Sequence, residues 1–295
     1  MIPMVWSRAL LPALVLLLAP LLSRAEIGVS ISVDLAPPPL PVYPQPPLPA
    51  EGYLWIPGYW AWNPAYGYYW VPGTWVLAPE PGFLWTPGYW GFVGGVYWWH
   101  AGYWGPHVGF YGGVNYGCGY GGHGYDGGYW QGRHLYYNRS VTNISNTTIA
   151  NVYNRTVVNN TTVNRVSYHG GTGGVQAQPT SAETAAAQER HLAPTATQQR
   201  HVQLAGSNPA LRASANHGNP PIAATARPAV FSGSGVVPAR HAATATQPAS
   251  AAHPAPAQPG YHPAPAPAER RAPPAPAHSE PHPGGHPQEH EHDRG

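Results

Sequence analysis

The sequence predicts a mainly β protein: a small, aromatic-rich antiparallel β-repeat module followed by a long Pro/Ala/His-rich region without a core of its own. Three observations lead there. Of the 35 Phe, Trp and Tyr residues, 29 fall between Tyr53 and Tyr137. Within that stretch a W-x-x-G-x-W pattern returns four times, at spacings of 15, 15 and about 14 residues. From Gly170 to the end, 126 residues hold only Phe231 and Tyr261, too few large apolar groups to offset their chain entropy.

The first element is a targeting segment. Arg8 precedes an apolar run from Ala9 to Leu22, and Ser23-Arg24-Ala25 fits a small-x-small cleavage site, so residues 1–25 read as a signal peptide. The run carries Pro12 and Pro20 and falls short of the roughly 20 residues a membrane span needs. No later stretch reaches that length, so no stable span is expected after cleavage. Removing Arg8 and Arg24 from the 14 basic residues leaves twelve Arg against twelve Asp plus Glu. A neutral chain offers no electrostatic footprint for nucleic acid. Its single cysteine, Cys118, excludes an internal disulfide.

Residues 26–52 form a Pro-rich spacer, with eight prolines among the fourteen residues from Ala36 to Pro49. The module proper is residues 53–137. Tyr53-Leu-Trp55-Ile-Pro-Gly58-Tyr-Trp60 is repeated as Tyr68-Tyr-Trp70-Val-Pro-Gly73-Thr-Trp75 and as Phe83-Leu-Trp85-Thr-Pro-Gly88-Tyr-Trp90. The fourth copy, Tyr97-Trp-Trp99-His-Ala-Gly102-Tyr-Trp104, replaces Pro by Ala101; Tyr125 to Trp130 holds a decayed fifth. A Pro-Gly step presets a type II turn, Pro at its first central position and Gly with positive φ at the second. Aromatic flanks favour strands, so each 15-residue copy is expected to hold two strands and two turns in a meander. Gly58, Gly73, Gly88 and Gly102 are the positions expected to reject a Cβ, and the eight repeat tryptophans are expected mainly as core.

Residues 138–169 alternate Val and Ile with Asn and Thr, a β-prone run that predicts an extended hairpin or edge strand and a region of self-association. Its six Asn-x-Ser/Thr triplets, beginning at Asn138, Asn143, Asn146, Asn154, Asn159 and Asn160, follow from composition alone. Residues 170–236 are low in complexity, with order expected to be local. Thr180-Ser-Ala-Glu183 is a capping-box pattern opening a helix from Ser181 to Leu192, and shorter helices are expected over Thr197–Ala205 and Pro209–Asn216. Residues 237–295 read as a disordered Pro/Ala/His-rich tail.

The four copies resemble the bacterial YXWGXW (WXXGXW) repeat family of exported Gram-negative proteins. The Gly/Tyr-rich and Asn/Thr/Val-rich segments are similar to those of larger members. The resemblance implies export to a periplasmic, outer-membrane-associated or secreted location, and it brings no catalytic residues.

Function is accordingly expected to be non-enzymatic, a structural or interaction role in the cell envelope with an envelope protein, a glycan or a second copy as partner. There is no nucleophile elbow, HExxH or phosphate-cradling loop, and no catalytic residue, cofactor or fixed metal site is assigned. Two alternatives remain open. Trp60, Trp75, Trp90 and Trp104 recur regularly enough to form a row of rings for stacking on sugars. His278, His282, His286, His290 and His292 in the tail suit weak, multivalent metal binding without a preformed cage.

Overall fold

A computed structural model describes residues 31–145, 148–157 and 165–240, all within one compact unit. The signal-peptide segment, the triplets at Asn146, Asn159 and Asn160, the tail beyond residue 240 and its histidines lie outside the described residues.

The protein is mainly β, with small antiparallel sheets. Strand β1 (Ser32–Val33) precedes the repeats. Copy one spans β2 (Tyr53–Ile56) and β3 (Tyr59–Asn63), and copy two β4 (Gly67–Val71) and β5 (Gly73–Leu77). Copy three spans β6 (Leu84–Thr86) and β7 (Tyr89–Val93), and copy four β8 (Val96–His100) and β9 (Tyr103–Gly105). The copies do not fold on themselves. Copies one and two pair as one antiparallel hairpin whose register runs unbroken from Tyr53↔Leu77 to Asn63↔Gly67, and copies three and four pair likewise.

The Pro-Gly step is therefore a bend within a long strand, not a chain reversal. None of Gly58, Gly73, Gly88 and Gly102 has a positive φ, which corrects the type II expectation. The reversals fall between copies: Asn63 Oδ1 accepts from Ala65 N in the first hairpin, and Gly94-Gly95, both with positive φ, close the second. Proline suits the bend because it lacks the N–H that a continuous ladder would require.

Continuous register sets repeat tryptophans opposite one another: Trp55 faces Trp75, Trp60 faces Trp70, Trp85 faces Trp104 and Trp90 faces Trp99. Their ring centroids are 5.2–5.3 Å apart at 54–68°, the edge-to-face or tilted arrangement aromatic quadrupoles favour. The bend then divides each hairpin between two cores. Trp55, Trp75, Trp85 and Trp104 enter one with Tyr111, Tyr120 and Tyr137, while Trp60, Trp70 and Trp90 enter the other with Tyr68 and Leu211.

Beyond the repeats, β10 (Asn115–Gly117) pairs with β11 (Tyr120–Gly121), and β12 (Gly128–Gln131), from the decayed fifth copy, pairs with β13 (His134–Asn138). Among the described residues the Asn/Thr/Val segment contributes two short strands, each at the edge of a sheet. These are β14 (Val152–Tyr153), parallel to β13, and β15 (Tyr168–His169), parallel to β7. Asn138 is fully buried; its amide donates to Asp126 O and Arg155 O and its oxygen accepts from Ser140 N and Arg155 N. Those four bonds spend the side chain on the fold. Cys118 is a free thiol, pushed up to about 12 by burial.

The flanks depart most from expectation. The Pro-rich segment lies against the module instead of standing off it: Pro39 O and Pro46 O accept the indole N–H groups of Trp60 and Trp75, and Leu48 is 1% exposed. The region after Gly170 is packed as far as Arg240. Helix α1 (Ser181–Ala186) has the Thr180/Glu183 capping box, but it stops before Leu192, whose backbone exchanges both hydrogen bonds with Trp104. Helix α2 (Ala196–Ser207), capped by Thr195 and Gln198, lies on β4 and is followed by a 3-10 turn (Pro209–Leu211) and α3 (Ala213–Asn216). Strand β16 (Ala224–Thr225) then joins β5 in parallel, and β17 (Val236–Val237) pairs with β16. No helix among the described residues is long and apolar enough to cross a membrane.

Candidate functional site: an apolar cleft at the repeat bends

The repeat glycines are where the two arms of each hairpin come closest. A Cβ on Gly58 would overlap the Trp70 indole and lie 2.8 Å from Gly73 N; one on Gly73 would meet Trp55 Cζ2 at 2.6 Å. In the second hairpin, Gly88 faces Trp99 Cζ2 and Gly102 faces Trp85 Cζ2, each at 2.5 Å. The first tryptophan of each copy thus covers the glycine of its partner copy. The expected intolerance to a Cβ stands, for reasons of space and not of backbone conformation.

Seven of the eight repeat tryptophans are buried: Trp55, Trp60, Trp70, Trp75, Trp85, Trp90 and Trp104. Trp99 alone among them is partly exposed. A sugar platform made of Trp60, Trp75, Trp90 and Trp104 is therefore excluded, because these rings are the core's own stock. Their N–H groups are spent as well, on Pro39 O, Pro46 O, Trp60 O and Gln198 Oε1 respectively. Trp70 donates to Ala223 O, while the buried Trp55 Nε1 has no partner among the described residues.

All four bends converge on one cleft of about 350 Å³. Pro57, Pro72, Pro87 and Ala101, the residues before the four repeat glycines, all line it, together with Ile56 and Val71. Tyr59 and Trp99, stacked at 4.9 Å and 18°, reach across from the two hairpins. Trp85 and Tyr116 add further ring surface, and α2 closes one side with Gln198, His201 and Val202.

Several polar groups of the wall are already paired. His201, 3% exposed, engages Pro72 O through Nε2 and accepts from Ala229 N through Nδ1, both at 2.8 Å. That network assigns the neutral Nε2–H tautomer. Burial pulls its pKa down to about 4, only partly opposed by the bond to Pro72. Tyr116 donates to Gly88 O, and burial raises its pKa and that of Tyr59. Thr74 pairs with Thr225, and Gln198 Oε1 accepts from Trp104 Nε1 and Thr195 N. With its nitrogens engaged and its ring neutral, His201 has no lone pair to lend a reaction.

A model of the WXXGXW repeat matches in two copies, over residues 52–76 and 81–104. Each match spans one whole hairpin, and so two W-x-x-G-x-W motifs. The chain carries two copies of the WXXGXW repeat. In this WXXGXW-repeat protein the unit of homology and the unit of folding coincide, since a single motif has neither a paired strand nor a partner for its tryptophans. No curated protein and no solved structure matches the chain. Among the described residues no group of three or more His, Cys, Asp or Glu is placed to hold a metal ion.

Motif spacing identified all twelve repeat residues, Trp55, Gly58, Trp60, Trp70, Gly73, Trp75, Trp85, Gly88, Trp90, Trp99, Gly102 and Trp104, and the fold brings them together in pairs. It did not reveal the cleft. The signals were present in the two residues between the first Trp and the Gly of each copy, and in Thr195-Ala-Thr-Gln198, a capping box of the S/T-x-x-E/Q form.

Proposed function

We propose that this WXXGXW-repeat protein is an exported, non-enzymatic envelope protein with an interaction role, in which the repeat tryptophans build the scaffold and the four bends present the interacting surface. The observation that carries this is the convergence of Pro57, Pro72, Pro87 and Ala101 on one apolar cleft whose lining groups Thr74, Tyr116 and His201 are already hydrogen-bonded within the fold. A wall of that kind suits binding by burial of apolar surface. The apolar segment at residues 9–22 and the small-x-small site ending at Ala25 support export.

Cell fractionation with protease accessibility tests the location. The full chain is expected outside the inner membrane with residues 1–25 removed, whereas a chain lacking that segment stays in the cytoplasm. Recovery of the full-length chain in the cytoplasm with residues 1–25 retained overturns the proposal. Retention on insoluble peptidoglycan, abolished by substituting exposed aromatic residues, would replace the apolar interaction with a glycan one.

A further inference from the structure

We propose that the cleft at the four bends is a binding site for an uncharged alkyl chain, such as that of a medium-length alcohol or a neutral acyl ester, whose head group sits between Gln199 and Gln203. The assignment rests on the interaction role proposed above and names its ligand class. The walls point to a hydrocarbon. At about 350 Å³ the space falls near the lower end of the range of small-molecule sites, roughly 300–1,000 Å³. Its sides are proline rings, Ile56, Val71, Val202 and the rings of Trp99 and Tyr59.

Charge excludes an ionised ligand from the interior. No Asp, Glu, Lys or Arg lines the cleft, and His201 is held neutral between Pro72 O and Ala229 N. A carboxylate or ammonium placed inside would lose its hydration with nothing to replace it. An alkyl chain asks for no hydrogen bond and gains from every methylene removed from water.

The mouth is built differently. Gln199 and Gln203, one helical turn apart on α2, are both exposed and both line the cleft. The Gln199 amide donates to Pro194 O at 3.0 Å, leaving its oxygen without a described donor, and Gln203 has no described hydrogen-bond partner. Two neutral amides at the rim match a hydroxyl or ester. Trp99 adds a donor: its counterpart Trp70 gives its N–H to Ala223 O, whereas the Trp99 N–H meets no acceptor among the described residues.

Titration calorimetry of the purified full chain with octanol, decanol and decanoate tests the proposal. Saturable binding of decanol at one site is expected, tighter than octanol by roughly fifteenfold, since each of the two extra methylenes contributes about fourfold. Decanoate should bind at least tenfold more weakly than decanol. Ala101→Trp, which fills the cleft from an exposed position, and Val202→Trp, which fills it from α2, should each weaken decanol binding more than tenfold while the near-ultraviolet circular dichroism keeps its native form. Tyr129→Ser, outside the cleft, should bind as the parent does. Absence of saturable decanol binding, decanoate binding as tight as decanol, or undiminished binding by both folded filling variants overturns the site. Fractionation is read separately, so a cytoplasmic chain that binds decanol would refute export and leave the cleft assignment in place.

Discussion

The indole of Trp70 occupies the space where a side chain on Gly58 would have to stand, and Trp55 covers Gly73 in the same way across the hairpin. The reciprocity explains why the motif couples a tryptophan to a glycine three residues on. Each copy supplies a cover for its partner's glycine and receives one in return.

Gly58→Ala should therefore cost about 2–4 kcal/mol, as overpacking against a rigid indole and a backbone nitrogen does. Gly94→Ala should cost only about 1 kcal/mol, because Gly94 has φ +63° but no atom within 4 Å of a new Cβ. Chemical denaturation of both variants provides the comparison. Trp70→Phe should recover part of the Gly58→Ala loss in a double-mutant cycle, and Trp55→Phe should not.

Indole N–H groups give a second contrast. Trp75 donates to Pro46 O at 2.9 Å, whereas the facing Trp55, equally buried, has no described acceptor. Trp→Phe removes similar volume at either site, but only at position 75 does it strand a carbonyl. Trp75→Phe should be the more destabilising by about 1–2 kcal/mol in thermal or denaturant unfolding.

Acid should loosen the grip of α2 on the bends. The folded-state pKa of His201, about 4, lies below its ordinary 6.5, so the neutral ring is what the native state favours. Its stabilising contribution is complete above pH 6.5 and is lost as the pH falls towards 4, amounting to at most about 3 kcal/mol. Burial alone would raise the Glu183 carboxyl, but its bonds to Thr180 and His123 outweigh that and hold it low, so its contribution too is lost on acidification. The melting temperature should fall over this range, and less steeply in His201→Gln.

Truncation tests the docked flank. A chain ending at Gln178 loses Gln198 from Trp104, Ala223 from Trp70 and β16 from the edge of β5. It should bind an apolar dye and melt at a lower temperature than the full chain. An unchanged melting temperature would show that the hairpins stand alone.

Strand character, the aromatic core, the WXXGXW repeat and the Thr180/Glu183 helix cap were legible because each depends on residues close in sequence. The Thr180/Glu183 box closes over three residues, and the tryptophan period shows directly that the copies are equivalent. The meaning of the repeat glycine was not legible. Pro-Gly is as compatible with a turn as with a bend, and only the unbroken pairing of Trp55 with Trp75 and of Trp60 with Trp70 distinguishes the two. The cleft was hidden for the same reason, since its walls come from four copies and from α2.

By itself, then, the sequence determined an antiparallel β-repeat with a tryptophan core and glycines that reject a Cβ, because spacing and ring chemistry are local properties. Tertiary structure alone decided that residues 165–240 pack on the hairpins. That region has too few large side chains to form a core, but it carries backbone carbonyls and small polar groups that a buried indole needs. Trp70 finds its acceptor at Ala223, 153 residues away, and His201 finds Pro72 at 129. Pairings over such distances follow from the shape of the folded surface, and no local pattern in the chain encodes them.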